Sequence, residues 1–231
     1  MRHGELIAMN TISKEAAPLI NVSHGYWSRP FRNTPPCGDG SSWASGKQES
    51  WLLVVDAIGH GPIAHRIAGV LLEAFQRILK GKQSPASSID ELTSHLHKTL
   101  KERNQGEQAA IVLCHFDHCN SQLNTIGIGS FESFLLTEAS AITLPSQSGM
   151  IGGCMPNHLS IQSHNLEDGT ILAVASDGLR LPGLQMEIPK YVFGPYSNRP
   201  LQESAKLIVN GFYKDHDDAS CALARITQIQ Q

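Results

Sequence analysis

A short apolar run that ends on an aspartate and leads into an amphipathic segment restricts the fold of this chain more than any other feature. Trp51 to Val55 reads WLLVV, a pattern typical of a strand buried on both faces. Asp56 follows, then a turn of small residues with Gly59 and Gly61, and Pro62 to Leu79 repeats apolar residues at spacings of three and four. That period predicts a helix. The sequence therefore predicts a strand that carries a carboxylate to the rim of a sheet.

The other apolar patterns predict an α+β domain built from antiparallel sheets. Three successive strands in the middle of the chain are separated by short turns, which favours an antiparallel meander. The second predicted helix begins at Ser84-Pro85 and ends between Asn104 and Gly106. The predicted strands are 16–28, 51–55, 108–116, 122–129, 131–138, 170–175 and 221–226, and a late helix is predicted over 201–212.

Length and charge exclude several classes of protein. The 231 residues contain no Pro/Ser/Gly-rich linker, so we expect one domain over 1–231. A net charge of -3 argues against a nucleic-acid binder. The sequence has no run of 18 apolar residues, and its start, MRHGELIAMN, lacks the apolar region of a signal peptide. Five scattered cysteines favour reduced thiols and a cytoplasmic protein.

The segment CHFDHC, Cys114 to Cys119, raises the alternative of a zinc site. A strand end followed by a turn is the better interpretation, because successive strand residues point to opposite faces and would not converge on one ion.

Aspartates stand beside small or turn-forming residues at four predicted strand ends. Carboxylates brought together there would repel, and burial would raise their pKa values. A divalent cation removes that conflict, and oxygen ligands suit magnesium or manganese rather than zinc. Each Asp-Gly pair taken alone is ordinary turn chemistry. The four segments are CGDG at 37–40, VDA at 55–57, ASDGL at 175–179 and HDDAS at 216–220.

The ordered set CGDG, VVDAIGHGPIAHRIA, EDGTILAVASDGL and HDDASCALARI resembles the metal-dependent protein phosphatases (PPM family). It is most similar to the bacterial SpoIIE-like branch, and in size to the small RsbX-type stress-response members. The resemblance covers a motif-bearing core of about 33–226. It implies a four-layer α-β-β-α sandwich, with two antiparallel sheets between helices and a binuclear manganese or magnesium site at one edge.

The resemblance also implies a set of ligands. Asp56 corresponds to the aspartate that bridges both ions, and Ala57 to the residue that offers its backbone carbonyl. The family usually has glycine at the latter position, and alanine limits the backbone angles there. Asp39, Asp177 and Asp217 correspond to the acidic ligands of the other motifs.

Further residues would support these ligands. Asp218 is placed next to the metal ligands rather than among them, although the choice between Asp217 and Asp218 stays open. Gly59 and Gly61 would let the chain turn beneath Asp56, and Gly178 leaves room in the third motif.

The implied reaction is hydrolysis of phosphoserine or phosphothreonine on a protein by a metal-activated water, with Asp56 at its centre. His60 is a candidate general acid, although a supporting role at the helix start is the alternative. Arg29 and Arg32 are candidates to bind phosphate, in particular Arg32, and a solvated loop is the alternative for both.

The resemblance implies a phosphorylated partner, a STAS-domain regulator of a bacterial partner-switching system, and no contact with nucleic acid or membrane. Two alternatives remain open. The first is a catalytically inactive phosphatase fold that acts as a binding module. The second is a hydrolase of a small phosphoester, although the chain has no nucleotide-binding Gly-rich fingerprint.

Overall fold

The computed structural model describes residues 20–80, 88–103, 105–179 and 182–229. Two five-stranded antiparallel sheets form the centre of the fold. The strands are β1 (Ile20–Arg29), β2 (Asp39–Ser45), β3 (Glu49–Ala57), β4 (Ala109–Asp117), β5 (Gln122–Ile128), β6 (Glu132–Leu136), β7 (Ala141–Leu144), β8 (Gln162–Asn165), β9 (Ile171–Ala175) and β10 (Ala219–Gln228). The helices are α1 (Gly61–Lys80), α2 (Ile89–Lys101), α3 (Leu184–Glu187), α4 (Pro189–Val192) and α5 (Leu201–Phe212).

The two sheets pack face to face. Along each central strand, successive side chains point alternately toward the other sheet and toward the outer helices. One sheet has the order β1-β10-β9-β6-β7 and the other β2-β3-β4-β5-β8. In β3, Leu52 and Val54 face the opposite sheet, where they meet Val174 and Ala222. Their neighbour Leu53 faces the helices instead. This period of two produces one buried layer between the sheets and one outside each of them.

Helices cover both outer faces. The apolar faces of α1 and α2 pack on the sheet that contains β3, and α5 packs with the short α3 and α4 on the sheet that contains β10. None of the described helices combines the length and the apolar character that crossing a membrane requires. The predicted four-layer sandwich of two antiparallel sheets flanked by helices is therefore confirmed.

The predicted three-stranded meander is wrong in its last member. β4 and β5 are neighbours in one sheet, whereas β6 pairs with β7 and β9 in the other. Strands β2, β7 and β8 were not predicted. All three are edge strands, and their polar or exposed residues lack the clear alternation of a half-buried strand. Ser84-Pro85 and Asn104, predicted as helix boundaries, lie outside the described residues.

Candidate metal centre

Asp39 and Asp56 lie directly opposite each other on neighbouring strands at the rim of the sandwich. Asp39 is the first residue of β2, Asp56 is the next-to-last of β3, and they are register partners. Residues paired in this way point to the same face. Since Leu52 and Val54 of β3 face the other sheet, Asp56 does so too, at the open end of the layer between the sheets. Asp39 is buried, with 6% of its surface exposed.

Two glycines turn the chain just beyond Asp56. Gly59 and Gly61 have φ values of 86° and 74°, which residues with a side chain rarely adopt, and α1 begins at Gly61. The turn predicted from the sequence is therefore present. Ala57 is not among the described residues with positive φ, so alanine fits this backbone where the family usually has glycine.

The third aspartate enters from the opposite sheet. Asp177 follows β9 after one residue, is half-buried, and its Oδ2 accepts a hydrogen bond of 3.0 Å from the Ser130 hydroxyl. Its neighbour Ser176 donates a hydrogen bond of 2.7 Å to Asp39 Oδ2. The Ser176 hydroxyl also accepts the backbone N–H of Ser220 at 2.8 Å. These bonds join the first, third and fourth motifs.

Asp217 and Asp218 have different surroundings. Asp218 is buried, and its two carboxylate oxygens accept the backbone N–H groups of Phe31 at 2.7 Å and Gly38 at 2.6 Å. Asp217 is half-buried, and its Oδ1 accepts the backbone N–H of Asp218 at 2.8 Å. Asp218 thus holds the loop of the first motif in place, whereas Asp217 keeps one oxygen for other partners. This difference supports Asp217 as the ligand.

Burial, and then neighbouring negative charge, raises the pKa values of Asp56, Asp39 and Asp217. Burial raises the pKa of Asp56 to about 9, and the negative charges of Asp39, Asp177 and Asp217 add to the effect. Burial likewise raises the pKa of Asp39 to about 7, although the hydrogen bond from Ser176 opposes the rise. The pKa of Asp217 is raised by burial and then by Asp177 and Asp218. Bound cations would offset both the burial of these carboxylates and their mutual repulsion.

The donor atoms suit a hard divalent ion. The ligands expected from the sequence are carboxylate oxygens and one backbone carbonyl, which magnesium and manganese prefer. Asp39 Oδ1 is buried and has no hydrogen-bond partner among the described residues, so it is available to a cation. Within those residues, however, no three His, Cys, Asp or Glu side chains are close enough together to hold one ion as they stand. The aspartates share one rim without forming a closed set of ligands.

His60 and Arg32 meet at one aromatic ring beside this rim. The His60 ring lies 4.3 Å from the Phe31 ring, and the Arg32 guanidinium lies 4.8 Å from the centre of the same ring. His60 and Arg32 are exposed. The backbone N–H of Arg32 donates to the Tyr213 hydroxyl at 2.8 Å. Because the Phe31 backbone N–H is bonded to Asp218, this cluster is attached to the fourth motif.

Gly178 is required by a close approach of two backbones. A Cβ atom at this position would lie 2.0 Å from the carbonyl oxygen of Asp218 and 2.8 Å from Cα of Ala219. The third and fourth motifs can therefore be neighbours only if this residue has no side chain.

The residues of the alternative zinc site do not converge. The Cys114 side chain is buried between the sheets, whereas His115 stacks on Trp51 and contacts Glu49. The His118 ring is hydrogen-bonded to the Ser50 hydroxyl. Strand β4 ends at Asp117 and a turn follows, as the preferred interpretation predicted.

Several residues of the site were missed from the sequence. Ser176 stands next to an aspartate already singled out, so that position was the available signal. Phe31 and Ser130 gave none, because their partners lie far away in the chain. Nor did Tyr26, whose buried hydroxyl has no hydrogen-bond partner among the described residues. The pKa of Tyr26 is raised well above its usual value by burial and by the charge of Asp39.

Comparison with known proteins agrees with this architecture. The sequence profile of the Stage II sporulation protein E (SpoIIE) family matches residues 46–226. No curated protein sequence matches the chain.

Three solved structures show the same fold. One is the PP2C phosphatase domain of SpoIIE from Bacillus subtilis, solved with a fragment of its regulatory domain. Its TM-score is 0.78 at 19% sequence identity, and the aligned region covers 93% of the chain described here and 66% of the SpoIIE chain. A structure from work on the bacterial stressosome has a TM-score of 0.75 at 21% identity and covers 89% of this chain and 100% of that chain. RsbX in complex with magnesium has a TM-score of 0.70 at 13% identity and covers 89% of this chain and 96% of that chain. At these identities the likeness concerns the fold.

Proposed function

Because the chain belongs to the SpoIIE family of PP2C-type protein phosphatases, we propose that it is a metal-dependent phosphatase of phosphoserine or phosphothreonine on a protein. The observation that supports the proposal is the pairing of Asp39 with Asp56 at one rim of the sandwich. Asp177 and Asp217, on loops of the opposite sheet, lie near enough for their charges to act on Asp56. Burial and neighbouring negative charge raise the pKa values of Asp39, Asp56 and Asp217, and bound cations would offset both effects.

Asp39, Asp56, Asp177, Asp217 and the carbonyl of Ala57 would hold two manganese or magnesium ions. When bound, such ions lower the pKa of water and offset the charge that develops on a phosphoryl group. The structure solved for RsbX contains magnesium, which supports the same class of ion here.

Other residues of the chain would orient the phosphoprotein and move a proton. His60 is exposed beside Phe31, where its imidazole can donate a proton to the leaving serine or threonine oxygen. Arg32 lies at the same ring, and its guanidinium suits contact with phosphate oxygens. The first turn of α1, which begins at Gly61, directs free backbone N–H groups to the side from which the chain enters the helix.

The substrate we propose is a STAS-type regulator of a bacterial partner-switching system, dephosphorylated in the cytoplasm as part of a stress response. Two structural neighbours support this choice: RsbX and a protein described in work on the bacterial stressosome. Both are covered almost completely by the fold of this chain.

Phosphate release from a phosphoserine peptide tests the proposal. We expect turnover with manganese or magnesium and none with a chelator. Asp56→Asn should abolish the metal-dependent turnover. Asp117→Asn is the matched control, because Asp117 caps a turn at the far end of β3 and β4 and only accepts local hydrogen bonds. It should keep its activity.

Two results would contradict the proposal. Turnover unchanged in Asp56→Asn would show that the aspartate rim is not the catalytic centre. Faster hydrolysis of free nucleotides than of phosphopeptides would favour the alternative of a small-phosphoester hydrolase.

A further inference from the structure

A cavity of about 480 Å³ opens between β1 and α5, beside the loop of the first motif. Its walls include the aromatic ring of Trp27 and the ring of Pro35, and two amides, Asn33 and Asn210, line it as well. Two cationic side chains, Arg29 and Lys206, also line it. The cavity thus combines flat apolar walls with positive charge and hydrogen-bonding amides.

Neither of these two cationic side chains has an acidic partner in the part of the chain that the structure describes. Lys206 Nζ lies 4.7 Å from the centre of the Trp27 ring, and the Arg29 guanidinium lies 4.1 Å from the centre of the Tyr213 ring. Arg29 Nε donates to Asn33 Oδ1 at 2.8 Å, and its other two guanidinium nitrogens have no hydrogen-bond partner among the described residues. Among the described residues, no carboxylate is within ion-pair distance of either cation. What distinguishes these two cationic side chains is that they line the same cavity.

The cavity and the aspartate rim share one loop. Pro30 and Asn33 line the cavity. Phe31, which follows Pro30 in the same loop, donates its backbone N–H to Asp218 at 2.7 Å. Tyr213, whose ring contacts Arg29, also reaches this loop, since its hydroxyl accepts the backbone N–H of Arg32 at 2.8 Å. An extended peptide with its phosphorylated residue at the rim could therefore place a neighbouring side chain in the cavity.

We infer that this cavity binds an acidic side chain of the phosphorylated protein substrate, close in sequence to the phosphorylated residue. The inference rests on the proposed phosphatase function. Charge complementarity carries it, because a carboxylate would pair with Lys206 and Arg29 and accept from the Asn210 amide. Stacking of the lysine on Trp27 fixes the cation before the substrate arrives.

A set of phosphoserine peptides tests the inference, with one glutamate moved stepwise through the positions that flank the phosphoserine and a glutamine counterpart at each position. At one or two positions we expect glutamate to raise kcat/KM about tenfold, the effect of one charge-assisted contact. Lys206→Glu should abolish this preference and favour a lysine at the same position. Lys101→Glu, which makes the same change of charge at an exposed site on α2, should leave the preference unchanged.

Hydrolysis of p-nitrophenyl phosphate separates this inference from the proposed function. It should be the same in wild type and Lys206→Glu, because the small substrate does not reach the cavity. If wild type hydrolyses it and shows no preference for glutamate at any position, or if Lys206→Glu keeps the preference, the inference is wrong. If no substrate is hydrolysed, the proposed function fails. The inference about the cavity is then tested by binding alone, measured as the fluorescence anisotropy of labelled peptides mixed with Asp56→Asn. Equal binding of the glutamate and glutamine peptides would overturn the inference.

Discussion

The hydroxyl of Ser176 donates a hydrogen bond of 2.7 Å to Asp39 Oδ2 and so joins the two sheets beside the candidate metal centre. Ser176 follows β9 in one sheet, and Asp39 begins β2 in the other. The same hydroxyl accepts the backbone N–H of Ser220. One side chain therefore fixes a proposed ligand against the opposite half of the sandwich.

Ser176→Ala should weaken both folding and metal binding. Removing the hydroxyl leaves a buried carboxylate oxygen without a donor, which costs about 1–3 kcal/mol in the free energy of unfolding. We expect manganese affinity and turnover to fall about tenfold, since Asp39 loses its orientation. Ser204→Ala is the control, because its buried hydroxyl donates to the Tyr191 carbonyl in the outer helical layer. Equal manganese affinity in both variants would show that Ser176 only stabilises the fold.

Asp217→Asn and Asp218→Asn should have opposite consequences. Both oxygens of Asp218 accept backbone N–H groups, and an amide nitrogen cannot accept, so Asp218→Asn should lower the free energy of unfolding by about 1–3 kcal/mol. Asp217→Asn should leave stability unchanged or raise it, because it removes a charge that burial and the neighbouring carboxylates disfavour. It should nevertheless weaken manganese binding at least tenfold. Denaturant unfolding and calorimetric titration measure the two effects. The reverse pattern would make Asp218 the ligand.

The metal-free protein should lose stability as pH rises. The folded state raises the pKa of Asp56 from 3.8 to about 9 and that of Asp39 to about 7, so it binds more protons than the unfolded chain over that range. The contribution of these two carboxyl groups to stability is therefore fully present below about pH 4 and is lost as pH rises through their folded pKa values. Asp56→Asn should reduce this decline.

Urea unfolding in chelator at several pH values measures the slope of stability against pH. Wild type with manganese should show a smaller decline than wild type in chelator. A slope that is the same in wild type and Asp56→Asn would show that Asp56 does not carry the repulsion.

Gly178→Ala should disrupt the contact between the third and fourth motifs. The added Cβ would lie 2.0 Å from the Asp218 carbonyl oxygen, so backbone must move, and we expect a loss of about 2 kcal/mol or more in the free energy of unfolding. Gly69→Ala on α1 is the control, since nothing lies within 4 Å of its added Cβ and alanine favours a helix by about 1 kcal/mol. Thermal unfolding that lowers Tm equally in both variants would contradict the steric argument.

The sequence identified the aspartates but not the contacts between them. Asp56 could be placed because a continuous apolar strand ends there and a glycine turn follows, both local signals. The pairing of Asp39 with Asp56 could not, because β2 is an edge strand of small polar residues whose register depends on its neighbour. The Ser176 bond to Asp39 depends on how two sheets face each other, which local periodicity does not contain.

The four layers of the fold were predicted from the resemblance of the aspartate motifs to those of the metal-dependent protein phosphatases. The strand patterns alone did not predict them. Periodicity located the central strands, since these are buried on both faces, but it assigned β6 to the wrong sheet. A short turn after β5 looks the same whether the next strand pairs with β5 or crosses to the other sheet, as β6 does.

Counting the manganese ions bound per chain by equilibrium dialysis, in wild type and in Asp56→Asn, tests the central claim most directly. For wild type we predict two bound manganese ions per chain and manganese-dependent phosphate release. For Asp56→Asn we predict no bound manganese and no phosphate release. Wild-type protein that binds no manganese or magnesium, yet releases phosphate from a phosphoserine peptide in the presence of a chelator, would contradict the account.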